Sequence, residues 1–550
     1  MFRTRNRSTL SIFFALITPL SVLHAQNAVL IEDPVAPNVV LITSDHLSLA
    51  ELEADKLSPF QHLSKLHAQS HKFVNYYIAP AIPLNHASIY TGRYNIRTKC
   101  VDYGYGRSMM AGDEVTLSEI LSGAGYKSAF YGTWHLGNNF PLRPNDRGFH
   151  ECLAQFPKFI PPHEEQSKVF AFHNNAECTL THPVAQAFAS QLTSFIRSAY
   201  DLETPFFLNL NIHSEAGADT PQQLADLDQQ LAALYSTLTE LKADTNTLIV
   251  FTSTLGSSAE NLGLRGTQDS VYEAGVLAPL WLVLPSNGST KTTAKSITTL
   301  AAQIDILPTI LDYCKLGSPD AFDIDGTSLI PSVNSVLPIE IDRAIIQQHH
   351  RGATVSREHH FMLRKGNWKL LNPSDPQQSR KPSSNYELYK LSTDSEESIN
   401  LASKEPKVLK ELLATYNAWF DDVTETRIRE RGIAPILVSR EHENPLLLTE
   451  DTRISKYQAE DGFWKLQAEH NSRIDINFEL PDHTAESLEG WSASVSLRGN
   501  TYQQKLSSQT DHVHLTSIPL KKGRNILQVS ISSPDSKTSI FPKQVQIMHR

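Results

Sequence analysis

The sequence predicts an α/β protein with a doubly wound, mostly parallel sheet, a small C-terminal α+β subdomain and an appended all-β domain. Apolar runs typical of buried strands, helical patterns between those runs, and a change to short β-like runs near residue 434 predict this class. At 550 residues the chain is too long for one hydrophobic core. We expect an α/β domain over 36–335, the subdomain over 340–425 and a β-sandwich-like domain over 434–550.

The expected strands of the main sheet are continuous apolar runs, as parallel strands buried on both faces should be. These runs are 38–45 (NVVLITSD), 127–134 (KSAFYGTW), 206–213 (FFLNLNIH), 247–254 (TLIVFTST) and 277–284 (LAPLWLVL). Residues 115–125 and 221–243 between them carry helical patterns. Ligands of such sheets bind beyond the carboxyl ends of the strands. We therefore expect Asp45, His135, His213 and Thr254 to surround a site.

The first 25 residues are typical of an export signal. Arg3, Arg5 and Arg7 precede an apolar run over 10–23, and Leu23-His24-Ala25 is a suitable cleavage site. We expect a periplasmic or extracellular protein with no integral membrane segment after cleavage; an N-terminal anchor is the alternative. The net charge of −10 argues against nucleic acid as a partner.

Four cysteines occur in this apparently exported chain, and none shows a C-x-x-C spacing. A structural role is the interpretation we prefer for all four. Cys152 and Cys178 could close a loop, but spacing alone does not establish their pairing.

Residues 87–93 read Ala-Ser-Ile-Tyr-Thr-Gly-Arg. This run resembles the end of the sulfatase signature, C-x-P-S-R-A-S-x-x-T-G-R, in which the Cys is oxidised to a formylglycine whose hydrate attacks the sulfate ester. At the positions of the Cys, Pro, Ser and Arg this chain has Ile82, Leu84, Asn85 and His86. An isoleucine side chain has no heteroatom and cannot be a nucleophile.

Other segments resemble the sulfatase family in the same order along the chain, across roughly 36–425. They are 37–42 (PNVVLI), 116–126 (a T-L-S-E helix and a G-A-G-Y turn), 132–137 (GTWHLG), 272–279 (YEAGVLAP), 305–312 (DILPTILD), 325–329 (DGTSL), 365–370 (KGNWKL) and 387–389 (ELY). The resemblance implies the fold of the alkaline phosphatase superfamily. It ends near residue 430.

The resemblance also implies a calcium site that this chain has lost. The family binds calcium between three Asp and an Asn or His, but here Asp45 is followed by His46, and the later T-S-D-N segment reads Thr252-Ser253-Thr254-Leu255. Calcium takes about six to eight oxygen ligands. One carboxylate is too few, so we expect no cofactor.

Groups that would neutralise a sulfate are also reduced in number. Thr133 replaces the lysine of G-K-W-H, although His135 remains, and the second histidine of H-x-P-H-x-P is absent after His213. The lysine expected near Gly266 is absent as well, and Arg265 is the nearby residue that could partly take its place. We interpret His135, His213 and Arg265 as candidate substrate-binding residues and Asp45 with His46 as the remnant of the metal site.

These residues predict a catalytically degenerate sulfatase that binds sulfated or other anionic glycans without ester hydrolysis. The alternative is an active sulfuric- or phosphoric-ester hydrolase, because Asp45, His46, His86, His135 and His213 suit zinc or another transition ion better than calcium. The interpretation opposed to both hypotheses is that His86 and His135 have no functional role and are buried histidines whose hydrogen bonds are satisfied.

A third hypothesis is adhesion through 434–550 alone. Trp464 and Trp491 would then be sugar platforms, although tryptophans of the domain core are the commoner case.

Overall fold

The structure is a computed structural model. It describes residues 36–45, 47–104, 106–157, 169–180, 184–212, 220–257, 263–285, 294–317, 323–350, 355–375, 385–425, 433–449, 452–455, 462–480, 488–507, 510, 512–535, 539–542 and 544–550. The expected export signal, His46 and His213 lie outside these residues.

A ten-stranded sheet organises the first part of the chain. The strands, with a small pair formed by β3 and β12, are β1 (Asn38–Ser44), β2 (His71–Phe73), β3 (Tyr76–Tyr77), β4 (Lys127–Thr133), β5 (Glu151–Gln155), β6 (Val169–His173), β7 (Ala176–Leu180), β8 (Phe206–Ile212), β9 (Thr247–Ser253), β10 (Leu280–Val283), β11 (Ser296–Ile297) and β12 (Ala301–Ala302). The sheet order is β11-β2-β10-β9-β1-β8-β4-β5-β6-β7.

The centre of this sheet, β9-β1-β8-β4-β5, is parallel. The predicted strand at 277–284 forms as β10, but it runs antiparallel to both β9 and β2, so its predicted direction was wrong. A continuous apolar run indicates that a strand is buried on both faces of the sheet. An antiparallel strand inside the sheet is buried in the same way, so the run does not indicate its direction.

Helices cover both faces of the sheet. They are α1 (Ala54–Leu57), α2 (Gln61–Gln69), α3 (Ile82–Thr91), α4 (Leu117–Gly123), α5 (Val184–Asp201), α6 (Thr220–Glu240), α7 (Glu273–Val276), α8 (Ile306–Tyr313) and α9 (Ile330–Asn334). Val39 and Leu41 of β1 pack in the core with α3, α4 and α8, whereas Val40 and Ile42 pack in the core with α2, α5 and α6. This alternation confirms the doubly wound α/β class.

A smaller antiparallel sheet follows, in the order β13 (Ala344–Gln348), β14 (Phe361–Lys365), β15 (Trp368–Asn372) and β16 (Glu387–Lys390). Helix α10 (Pro406–Thr424) packs on it through an apolar stripe. The rings of Tyr416 on α10 and Phe361 on β14 stack with their centroids 3.6 Å apart. This is the small α+β subdomain that the sequence predicts.

Two further sheets share one core in the last part of the chain. Their strands are β17 (Ile436–Val438), β18 (Leu446–Thr449), β19 (Ile454–Ser455), β20 (Gly462–Ala468), β21 (Ser472–Glu479), β22 (Ser492–Leu497), β23 (Asn500–Lys505), β24 (His512–Leu520), β25 (Gly523–Ser532), β26 (Ser539–Ile540) and β27 (Gln544–His549). Trp464 is fully buried in that core and Trp491 packs against it, so the described tryptophans of this domain are core residues.

The β domain docks on the α/β domain just beyond His135. Met109 and Leu142 of the α/β domain are part of the β-domain core. The Asn138 Nδ2 donates to Thr449 Oγ1 at 3.0 Å, and Arg143 pairs with Glu443. The appended domain is thus adjacent to the segment that leaves β4.

All four cysteines are free, which removes the Cys152–Cys178 bridge left open by the spacing. Burial raises the pKa of the Cys152 thiol to about 11, as expected of an unreactive structural cysteine. Within the described residues no helix combines the length and the apolar character that a membrane span requires.

Candidate active-site remnant

Three parallel strands end together at one edge of the main sheet and deliver the site. Strand β1 leads into Asp45, β9 into Thr254, and β4 into Trp134 and His135. Strand β8 lies between β1 and β4 and contributes Asn211 from within the strand. The site therefore lies where parallel sheets place their ligands.

Asp45 is the centre of the site, and four side chains contact its carboxylate. His86 Nε2 lies 3.0 Å from Oδ1 and His135 Nε2 lies 2.8 Å from Oδ2. Asn211 Nδ2 donates to Oδ2 at 3.1 Å, and the hydroxyl of Thr254 donates to Oδ1. We call Asp45, His86 and His135 the Asp45 cluster.

The Asp45 cluster is almost dry, since Asp45 and His86 are buried and the His135 side chain is 12% exposed. Burial by itself raises the pKa of Asp45, because it disfavours the carboxylate. Attraction to His86 and His135, with the hydrogen bonds from both rings, outweighs burial and holds the pKa well below its usual value. Asp45 is consequently a carboxylate at every pH near neutrality.

Local sequence features explain why these groups meet. Gly132 has φ 132°, and a Cβ there would lie 2.0 Å from the carbonyl oxygen of Asn211. Glycine thus lets β4 approach β8 closely. Asn211 then bridges three strands, because its Oδ1 accepts from Thr133 N at 2.9 Å while its Nδ2 reaches Asp45 and Thr43.

Helix α3 carries the segment that resembles the sulfatase signature. Ile82 is its first residue, half-buried, and its N–H donates to the Tyr103 hydroxyl at 3.3 Å. His86 is four residues later and so lies next to Ile82 on the same helix face. The helix ends at Gly92, in the left-handed conformation that closes a helix.

Asn85 fixes the start of this helix. Its Nδ2 donates to the carbonyl oxygens of Ala79 and Thr254 at 2.7 and 2.8 Å, and its Oδ1 accepts from Ala79 N. The residue at the signature's Ser position thus ties α3 to the end of β9, which is a structural role.

Of the five residues expected to converge, Asp45, His86 and His135 lie together, and His46 and His213 lie outside the described residues. Arg265 has other partners. The Arg265 guanidinium donates at 2.8 Å to the Tyr389 hydroxyl and to the Glu397 carbonyl, and it stacks on Tyr272 with 4.0 Å to the ring centroid.

Asn211 was not among the residues predicted for the site, whereas Thr254 was predicted to lie there but not to donate to Asp45. Both side chains donate a hydrogen bond to the carboxylate of Asp45. A signal for Asn211 was present, because an amide inside an otherwise apolar buried strand needs hydrogen-bond partners. Nothing in the sequence indicates that those partners lie on β1 and β4.

Two segments that resemble family motifs meet in a second charged group, which we call the Lys369 cluster. Lys369 Nζ is fully buried and lies 2.8 Å from both Glu273 Oε1 and Glu397 Oε1. The Tyr77 hydroxyl donates to Glu273 and accepts from Arg364. These residues join the C-terminal subdomain to the α/β domain.

The family's calcium does not fit the Asp45 cluster. Calcium takes about six to eight oxygen ligands, mostly carboxylates. In the described part of the site Asp45 supplies the one carboxylate, two imidazole nitrogens face it, and Leu255 has no ligand atom. The Asn211 amide presents its nitrogen, not its oxygen, to Asp45.

A sequence model of the family described as Sulfatase matches residues 37–214 and 219–316, about half of the chain. The N-acetylgalactosamine-6-O-sulfatase of Bacteroides thetaiotaomicron is 24% identical over 488 residues, covering 68% of this chain and 91% of that protein. The arylsulfatase G of Canis lupus familiaris is 30% identical over 184 residues, 32% of each chain. The N-acetylgalactosamine-6-sulfatase of Sus scrofa is 24% identical over 351 residues, 54% of this chain and 66% of that protein. The match thus spans less than two thirds of either mammalian relative.

Solved structures share the fold. Ps i-CgsB in complex with k-i-k-neocarrahexaose has a TM-score of 0.61 at 21% identity, covering 70% of this chain and 92% of that chain. The PsFucS1 sulfatase from Pseudoalteromonas sp. has a TM-score of 0.56 at 18% identity, covering 71% and 91%. At these identities the similarity concerns the fold alone.

Proposed function

Because the chain belongs to the sulfatase family, we propose that it binds a sulfated or otherwise anionic glycan without the formylglycine-dependent ester hydrolysis of that family. Ile82 carries the proposal, since it is the first residue of α3, where the family places its nucleophile. Attack on sulfur needs a heteroatom that an isoleucine lacks. Removing a protease nucleophile costs about a millionfold in turnover.

The hydroxyls near Ile82 are poor replacements. Thr91 Oγ1 donates to the carbonyl oxygen of Ala87 at 2.7 Å, inside α3. Ser88 Oγ is buried and has no hydrogen-bond partner in the described part of the chain. A serine needs an adjacent base to become a nucleophile, so neither hydroxyl is activated.

The Asp45 cluster is the place where we expect the glycan to bind. Two histidines face a single carboxylate, and the His135 side chain is the one of the three that solvent reaches. The names of relatives, N-acetylgalactosamine-6-sulfatase among them, support a sulfated sugar as the ligand class. The apolar run over 10–23 supports an exported protein that meets such glycans outside the cytoplasm.

One observation favours a second candidate, an ester hydrolase with a different metal. The ligand atoms of Asp45, His86 and His135 lie within 4.8 Å of one another. A transition ion supplies Lewis-acid chemistry for ester hydrolysis without a protein nucleophile. This candidate predicts turnover that is lost on chelation, whereas the binding protein predicts none under any metal condition.

The test combines binding with turnover on the mature chain. We expect a panel of sulfated oligosaccharides to raise the melting temperature, with no release of sulfate or phosphate from aryl esters. A ligand at about 100 times its Kd stabilises by about 2.7 kcal/mol. Desulfated forms of the same sugars are the matched ligands and should give no shift.

His135→Ala should remove the shift, whereas His512→Ala, an exposed histidine of the β domain, should leave it unchanged. Ester turnover with a bound metal would replace the proposal by the second candidate. A shift that persists in a chain truncated before residue 434 would exclude adhesion through the β domain alone.

A further inference from the structure

The Asp45 cluster has the composition and spacing of a metal site that differs from the family's own. Its three ligand atoms, one carboxylate oxygen and two Nε2 atoms, lie within 4.8 Å of one another. We propose that Asp45, His86 and His135 bind one divalent transition ion, of which Zn²⁺ is the representative, in place of calcium. This goes beyond glycan binding and does not depend on it.

The distances suit such an ion. Tetrahedral zinc binds nitrogen and oxygen ligands at about 2.0–2.2 Å, which separates neighbouring ligand atoms by roughly 3.3 Å. The two Nε2 atoms lie 3.0 and 2.8 Å from the oxygens of Asp45. Because the two Nε2 atoms approach different oxygens of Asp45, and one ligand atom of each residue lies within 4.8 Å of the others, side-chain rotation adjusts these separations when the ion binds.

The ligand types select the class of metal. Imidazole nitrogens prefer zinc, copper, nickel, cobalt or iron, whereas calcium and magnesium prefer oxygen. Two imidazoles with one carboxylate therefore favour a transition ion. His135 and Asp45 come from the ends of β4 and β1, and His86 comes from α3, so three rigid elements hold the ligands.

Outer contacts are also in place. Asn211 and Thr254 donate to Asp45 from β8 and from the end of β9. Such hydrogen bonds orient a metal-binding carboxylate, and their loss typically weakens metal affinity 10- to 100-fold. Asp45 keeps the hydrogen bonds from Asn211 and Thr254 when the ring nitrogens of His86 and His135 bind an ion.

Three protein ligands leave a fourth position of a tetrahedral ion open. A divalent ion with one carboxylate and two neutral imidazoles carries a net charge of +1. An anionic group is the ligand that this charge favours. The metal would thus restore part of the positive charge that Thr133, at the position of the family's lysine, does not supply.

The experiment uses the full mature chain, stripped with a chelator and then loaded with ZnCl₂, CoCl₂ or CaCl₂ alone. We expect one zinc or cobalt per chain after desalting, by elemental analysis, a higher melting temperature, and the visible absorption of tetrahedral cobalt. Calcium should give none of these. Asp45→Asn and His135→Ala should each weaken binding about 100-fold or more.

His512→Ala is the matched control, because it removes an exposed histidine from the β domain and should bind like the parent. Circular dichroism establishes that each variant is folded, and His135→Ala, at the partly exposed ligand, keeps the test available if Asp45→Asn unfolds. No retained ion, or binding that is unchanged in both ligand variants, would overturn the proposal. Failure of glycan binding alone would not, because the metal is measured without a glycan.

Discussion

The Asp45 cluster and the Lys369 cluster are both buried, both charged and both built from segments that resemble sulfatase motifs, yet they differ in what they hold. In the Lys369 cluster one buried lysine lies 2.8 Å from a carboxylate oxygen of each of two glutamates. The Asp45 cluster has one carboxylate, and its two cation-forming groups are histidines.

This difference separates two uses of charge. A buried ion pair that joins two domains cannot lose one member cheaply, because the other becomes an unpaired buried charge. A set of carboxylates that serves a cation is different, since without the cation like charges repel each other. Thr254, which stands at an Asp position of the family, removes one carboxylate from this repulsion.

The largest expected effect is in the Lys369 cluster. Lys369→Met leaves Glu273 and Glu397 buried and facing each other, so we expect the free energy of unfolding to fall by roughly 3–5 kcal/mol. Urea denaturation followed by tryptophan fluorescence measures it.

The control is Lys365→Met in the same sheet. Lys365 is 35% exposed and pairs with Glu411 at 3.6 Å, and such surface pairs contribute at most about 1 kcal/mol. Equal losses in the two variants would contradict the contrast between the clusters.

Low pH should destabilise the folded protein through a third buried group, the histidine cluster of His349, His350, His359 and His360. These residues flank the turn between β13 and β14 and are all buried. Burial lowers the pKa of His350 well below its usual value, and neighbouring histidines lower it further. Burial likewise lowers the pKa of His360 to about 4.

Because these pKa values are depressed in the folded state, the unfolded chain binds more protons below pH 6.5. Stability is therefore fully present above that pH and is lost as the pH falls towards 4. His350 and His360 each contribute a slope of about 1.4 kcal/mol per pH unit. Other groups facing the cluster are the Asp102 carboxylate on His349 and the carbonyl oxygens of Asp269 and Ser374 on His360.

His350→Leu sharpens this prediction, because neither ring nitrogen of His350 has a hydrogen-bond partner among the residues that the structure describes. We expect unchanged or higher stability at pH 7 and a shallower loss between pH 6 and 5, by about 1.4 kcal/mol. Denaturant midpoints across pH measure both. His512→Ala should keep the parent's slope, and a parent slope in His350→Leu would refute the assignment.

A smaller effect is expected at Arg265, which the sequence suggested for substrate binding. Its contacts with Tyr389, Glu397 and Tyr272 place it next to the Lys369 cluster, of which Glu397 is a member. Since its side chain is 41% exposed, we expect Arg265→Ala to cost about 1 kcal/mol of stability. Titration with zinc should be unaffected, and weakened metal binding in this variant would place Arg265 at the site after all.

The fold was predictable because its signals are local. Apolar runs such as 247–254 fix burial, and Thr116 with Glu119 forms the capping box that begins α4, with Glu119 N donating to Thr116 Oγ1 at 3.3 Å. The direction of β10 was not predictable, because strand pairing depends on contacts distant in sequence.

The site was predictable only in part for the same reason. Asp45, His86 and His135 follow strand ends or a recognisable segment, so their meeting could be expected. The saturation of Asp45 by Asn211 and Thr254 could not, because it depends on how closely Gly132 lets β4 approach β8. The contacts of Arg265 with Tyr389 and Glu397 were not predictable from its nearness in sequence to Gly266, and its role in substrate binding stays a prediction.

The smallest expected effect is that of restoring the missing sulfur atom. Ile82→Cys should yield no measurable aryl sulfatase turnover, even in a host that oxidises sulfatase cysteines, because Leu84 and His86 occupy the signature's Pro and Arg positions. Two of the family's calcium-binding carboxylates and its lysine are replaced as well, by His46, Thr254 and Thr133, so the groups that activate the ester in the family are incomplete. Ile82→Ser is the isosteric control without an oxidisable sulfur. Sulfate release by the cysteine variant above that of the serine variant would show that the Asp45 cluster still supports the family's chemistry.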